Sequence, residues 1–67
     1  MLDRVKMKRL RLKLKLSQAK AGERASPPLS AHQWSNIERD GTGFDVQFGT
    51  VKRIAVALGV KAKELLK

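Results

Sequence analysis

Leu10, Leu12, Leu14 and Leu16 alternate with Arg11, Lys13 and Lys15, the two-residue period of a half-buried strand. No other segment alternates convincingly, so such a strand would have no partner for its backbone N–H and C=O groups. Helix is therefore the prediction here. Wound at about 100° per residue, Met7, Leu10 and Leu14 share one stripe while Val5, Leu12 and Leu16 fall roughly opposite. A helix ending near Leu14 puts Leu16 in the turn, where it can fold back on the core. Leu12 is then either partly exposed or set against a partner.

Downstream, the apolar spacing becomes helical and each segment carries its own start or stop. Ser17 is a capping residue ahead of a short run from Gln18 to Ala25, QAKAGERA, which ends at Ser26-Pro27-Pro28. Ser30 caps a further helix, AHQWSNIERD, halted by Gly41-Thr42-Gly43. Asp45 is a plausible cap for the helix through FGTVKRIAVAL, in which Phe48, Val51, Ala55 and Leu58 recur at helical spacing. Gly59 followed by Val60 fits a helix C-terminal motif, and residues 61–67 form a last short helix pinned by Leu65 and Leu66.

Sixty-seven residues make one small all-α domain, which buries only about 60% of its unfolded surface. The absence of Cys removes disulfides and thiolate metal sites, and a single His makes structural zinc a poor fit. With no apolar run of membrane-spanning length and no signal-like start, the expectation is a soluble cytoplasmic protein of bacterial or phage type, with no membrane partner. Charge adds something the pattern does not. Of the net +9, residues 1–24 carry +7, from nine Lys/Arg against Asp3 and Glu23. Such a field favours polyanions, or else is simply a solvated basic face.

Residues 31–39 sharpen the first alternative. Trp34 and Ile37 face inward, flanked by Ala31 and Glu38, while His32, Ser35, Asn36 and Arg39 lie opposite with Gln33 at the edge. Asn and Gln can pair bidentately with adenine, Arg and His can reach guanine, and Ala31 suits a thymine methyl. The same residues would serve an ordinary surface helix, so the polar set alone leaves the choice open.

Four short motifs tip it. Leu16-Ser17-Gln18, Ile37-Glu38-Arg39, the segment IAVALGV at 54–60 and Glu64-Leu65-Leu66 stand in the order of motifs that start or end the helices of one family. Through them residues 10–67 resemble the Cro and cI-type (XRE-like) helix-turn-helix repressors. The resemblance implies a compact five-helix, lambda-repressor-like domain over residues 1–67. Its helix-turn-helix would span about residues 17–40, with the third helix in the major groove of double-stranded DNA. It further implies base reading by Ser30, Ala31, His32, Gln33 and Asn36. Phosphate contacts would come from Ser17, Gln18, Ser35, Arg39, Gly41, Thr42 and Gly43, and a structural ion pair would join Arg11 to Glu38. Specific binding by so small a module usually takes a homodimer on a palindromic site, with helices four and five at the interface.

The chain departs from the family in three places. The turn Ser26-Pro27-Pro28-Leu29 lacks the usual Gly and adds about two residues, which bears on the register of His32. Gly22 stands where the family favours Ala, and the loop at 41–47 is longer and poor in bases. Trp34, at a usually aliphatic position, reads as a packing anchor.

Enzymatic function finds no support: no carboxylate pair, thiol or phosphate-binding glycine loop is present, so neither cofactor, metal nor small-molecule substrate is expected. A membrane-surface role for residues 1–16 is weakened by the two opposed apolar stripes. An antitoxin-type protein-interaction module would use the same fold, with Leu12 or the Leu65-Leu66 end as its apolar patch. The leucine–cation alternation and the uncapped start at Lys61 would also suit a DNA binder engineered on that scaffold.

Overall fold

Asp3 opens the first helix. Its carboxylate accepts from the Lys6 N–H at 3.0 Å, and α1 runs Arg4–Lys13 in this computed structural model, which describes residues 2–39 and 47–66. Leu14 closes α1, Lys15 turns the chain at a φ of 59°, and Leu16 returns to pack on the core. The alternating stretch is thus a helix followed by a turn. Met7 is fully buried and Leu10 half-buried, as the stripe predicts, but Leu14 is 45% exposed. The helix ends just before it, so the stripe no longer governs where it points.

Helix α2, Gln18–Arg24, is capped by Ser17, whose hydroxyl accepts from the Lys20 N–H at 3.1 Å. A six-residue connection that includes a cis Ser26–Pro27 peptide leads to α3, Ala31–Arg39. Ser30 and Gln33 close a capping box: the Gln33 N–H donates to Ser30 Oγ at 3.0 Å, and the Ser30 N–H donates to Gln33 Oε1 at 2.9 Å. Arg53 holds the connection from outside, donating to the carbonyls of Pro27 and Pro28 at 3.0 Å each.

The connection lies directly on α2. The Leu29 N–H donates to the Gly22 carbonyl at 2.9 Å, and a Cβ on Gly22 would collide with the Leu29 carbonyl. Gly22 is therefore a packing requirement, which outweighs its intrinsic cost in a helix of about 0.5–1 kcal/mol.

Helix α4, Phe48–Leu58, buries Val51, Ile54, Ala55, Ala57 and Leu58. Phe48 departs from the spacing-based expectation: at the first helical position it points outward, 55% exposed, with the Lys52 ammonium 5.5 Å from its ring centre. Gln47 occupies the N-cap position without a side-chain cap bond, and Asp45 lies outside the described residues. Gly59 ends α4 in the left-handed conformation, φ 70°, and the Val60 N–H reaches back to the Ala55 carbonyl at 3.0 Å.

The last element corrects the five-helix expectation. There are four α-helices among the described residues, and residues 62–65 form a single 3₁₀ turn, Ala62–Leu65. Leu66 is extended and bridges antiparallel to Leu2, while the Asp3 N–H donates to the Leu65 carbonyl at 2.6 Å. Backbone pairing across the two ends of the described chain replaces the final helical turns. Leu65 is fully buried, so it cannot supply the exposed apolar patch expected of it.

The core is shared by all elements, with Trp34, Met7, Ile54, Leu65 and Val51 its largest fully buried side chains. Helix α2 packs on α3 and α4, α1 on α3 and the 3₁₀ turn, and α4 on the same turn. No described helix is long and apolar enough to cross a membrane.

Candidate nucleic-acid interface

Helix α3 is anchored by a polar hub beneath it. The Glu38 carboxylate accepts from Arg11 Nε and Nη2 at 2.8 Å each, from Trp34 Nε1 at 2.8 Å, and from Gln18 Nε2 at 3.4 Å. Arg11 also donates through Nη1 to the Leu16 carbonyl at 2.8 Å, tying the turn after α1 into the same network. Arg11 is 8% exposed and the Glu38 side chain 5%. Burial alone would push the Glu38 carboxyl up, but the hydrogen bonds from Arg11, Trp34 and Gln18 outweigh it and hold the pKa below its usual value. The Arg11 pKa is raised, chiefly by its hydrogen bonds to Glu38. The predicted ion pair is therefore present, and Trp34 is both a packing anchor and a donor to it.

With Trp34 fully buried and Ile37 and Glu38 partly so, the rest of α3 faces out. Ser30, Ala31, His32, Gln33 and Asn36, the five residues expected to read bases, are all exposed, and Arg39 is exposed with them. Ala31 was expected to flank the inward side and lies outside it; Ser35 is half-buried. Arg39 Nη2 donates to Asn36 Oδ1 at 3.1 Å, so these two side chains act as a pair. The Arg4 Nε donates to the Ile37 carbonyl at 2.9 Å, fastening the last turn of α3 to α1.

Two expected phosphate ligands have inward duties. Ser17 is engaged as the cap of α2, and one Gln18 amide hydrogen points to Glu38, leaving the other for an outside acceptor. Gly41, Thr42 and Gly43 lie outside the described residues, as does Asp40.

Part of the basic charge is turned back onto the fold. Arg4, Arg11, Arg24 and Arg53 all donate to backbone carbonyls, of Ile37, Leu16, Ala57 and the two prolines. Lys8, Arg9, Lys13, Lys15 and Lys20 are exposed on α1, its turn and α2, with Lys20 only 3.8 Å from Glu23. Part of the N-terminal charge excess therefore holds the fold together, and the lysines supply most of what faces solvent. A rigid guanidinium fork suits carbonyl docking where an ammonium does not. Arginine identity was the available signal for Arg4, Arg24 and Arg53, which sequence reasoning missed.

Comparison with models of protein families, with curated proteins and with solved structures finds no match.

Proposed function

We propose that this protein is a sequence-specific double-stranded DNA-binding domain of the lambda-repressor-like helix-turn-helix kind, with α2 and α3 as the helix pair and α3 in the major groove. The observation that carries the reading is α3 itself. One side is locked by Trp34 and Glu38, while the other presents Ser30, His32, Gln33, Asn36 and Arg39. A reading helix needs this combination of a rigid mount and an exposed polar edge. Exposed cations attract the duplex without regard to sequence, Gln18 and Arg39 contact phosphate, and the edge of α3 selects among base pairs. A homodimer on a palindrome would supply the affinity that one such module lacks.

The deciding experiment is selection from a randomised duplex library, then anisotropy titration of the best site and a scrambled one across a salt series. A selected site bound about a thousandfold tighter than scramble supports the reading; equal, steeply salt-dependent affinities reject it. Within that assay, Asn36→Ala should weaken the selected site by about 1–3 kcal/mol and leave scrambled DNA unaffected. Equal losses on both would remove Asn36 from base reading.

A second reading, an antitoxin-type interaction module on the same fold, draws on the apolar side chains left outside. Val5 is 65% and Leu12 54% exposed, seven residues apart on the outer side of α1. If DNA is the partner, Val5→Ser with Leu12→Ser leaves duplex affinity unchanged; abolished binding would instead favour an apolar contact there.

A further inference from the structure

The two amide side chains on the outer edge of α3 have both committed their oxygens. Gln33 Oε1 accepts from the Ser30 N–H at 2.9 Å, and Asn36 Oδ1 accepts from Arg39 Nη2 at 3.1 Å. What each turns outward is its NH2 group. Arg39 beside them has further guanidinium hydrogens and no acceptor, and His32 offers a ring N–H. The exposed edge of α3 is thus rich in donors and poor in free acceptors.

That asymmetry chooses among bases. Guanine shows two acceptors in the major groove, N7 and O6; adenine shows an acceptor beside the N6 donor; cytosine shows the N4 donor. Bidentate reading of adenine by Asn or Gln needs the amide oxygen over N6 and the amide nitrogen over N7. The Ser30 N–H already holds the Gln33 oxygen and Arg39 the Asn36 oxygen, so adenine N6 would have to share that oxygen through its second lone pair, in the one direction the existing bond leaves. Donor-only presentation fits guanine with no rearrangement and sets donor against donor at cytosine.

Resting on the DNA-binding reading above, we infer that the protein selects guanines on the strand facing α3, through the Gln33 and Asn36 amide hydrogens, with Arg39 as the positioning residue for Asn36. The two readers are three residues apart on α3, a rise of about 4.5 Å. Against a base-pair spacing of about 3.4 Å, their guanines fall within one or two steps of each other. This replaces the adenine preference that amide chemistry alone predicts for these residues.

Gln33→Glu isolates the effect. The carboxylate still accepts from the Ser30 N–H, so the capping box and melting temperature are kept, but the outward donors become an acceptor. The full-length protein and its variant are put through the duplex selection, and each guanine of the selected site is then replaced by 7-deazaguanine, which removes N7 and preserves pairing. The expected result is guanine at two nearby positions, with affinity falling at each on loss of N7. For Gln33→Glu, the ratio of selected to scrambled affinity should drop by about 5- to 150-fold, with cytosine now preferred at one of the two positions. Adenine at those positions, with a preference abolished by Asn36→Ala, would overturn the guanine inference while leaving DNA reading intact. No preference among duplexes would overturn both.

Discussion

Replacing Gly22 with Ala is expected to destabilise the protein by about 2–3 kcal/mol or more, although alanine is the better helix former. The added methyl would occupy the space of the Leu29 carbonyl oxygen and come within 3.1 Å of its carbon. Its neighbour is backbone, itself bonded to the Gly22 carbonyl through the Leu29 N–H at 2.9 Å, so no side chain can rotate aside. Overpacking of this kind costs about 1–3 kcal/mol when the surroundings can adjust and more when they cannot. A domain of this size has only about 3–10 kcal/mol in all. Gly49 supplies the control. It is also helical, but a Cβ there meets nothing within 4 Å, so Gly49→Ala should stabilise by about 0.4–1 kcal/mol. Urea unfolding followed by the fluorescence of buried Trp34 reads both. A neutral Gly22→Ala would mean that the proline connection does not lie against α2.

Local chemistry was readable from the sequence wherever one residue type decides the outcome. Ser17 and Ser30 cap the helices they are expected to cap and Gly59 takes the left-handed position, whereas the Arg11–Glu38 pair is implied only by the family resemblance. Leu14 and Phe48 were misplaced because both sit at helix ends, where a wheel says little about direction. The spacing at residues 61–67 suits a helix, and nothing in Leu65-Leu66 announces the backbone partner at Leu2. For the candidate site, helical spacing places His32, Gln33, Asn36 and Arg39 on the exposed side of α3 but does not show how they are presented. Which atom of Gln33 or Asn36 faces outward depends on Ser30 and Arg39, and only three-dimensional placement shows that each oxygen already has a partner. In the sequence Gly22 is only a departure from the Ala that the family favours, and the Leu29 carbonyl lying over it supplies the reason.

Glu38→Ala is expected to cost about 3–5 kcal/mol, enough to unfold much of the population. The substitution strands the nearly buried Arg11 guanidinium with one remaining acceptor, the Leu16 carbonyl, and removes the partner of Trp34 Nε1 at the centre of the core. Most of that loss is the penalty of an unpaired buried charge, because the intact pair spends much of its attraction on desolvation. Arg11→Met combined with Glu38→Gln removes both charges yet keeps an acceptor for Trp34. It should cost less than Glu38→Ala alone, and a double variant as unstable as the single would show that the ionic bond itself is the main stabiliser. The same hub sets the acid limit. Since the folded-state pKa of Glu38 lies below the unfolded value of about 4.5, its contribution is present above that pH and is lost as pH falls through the lower folded value. Urea midpoints of the wild type should therefore fall from about pH 4.5 downward, whereas the double variant, lacking this carboxylate, should show a shallower acid decline. Arg11, with its pKa raised, stays charged throughout this range and adds no slope. Because Gln18 and α3 are both mounted on Glu38, the proposed DNA-binding function carries a further expectation: selective duplex binding should weaken along with this acid loss of stability, whereas electrostatic attraction of scrambled DNA to the exposed lysines should persist.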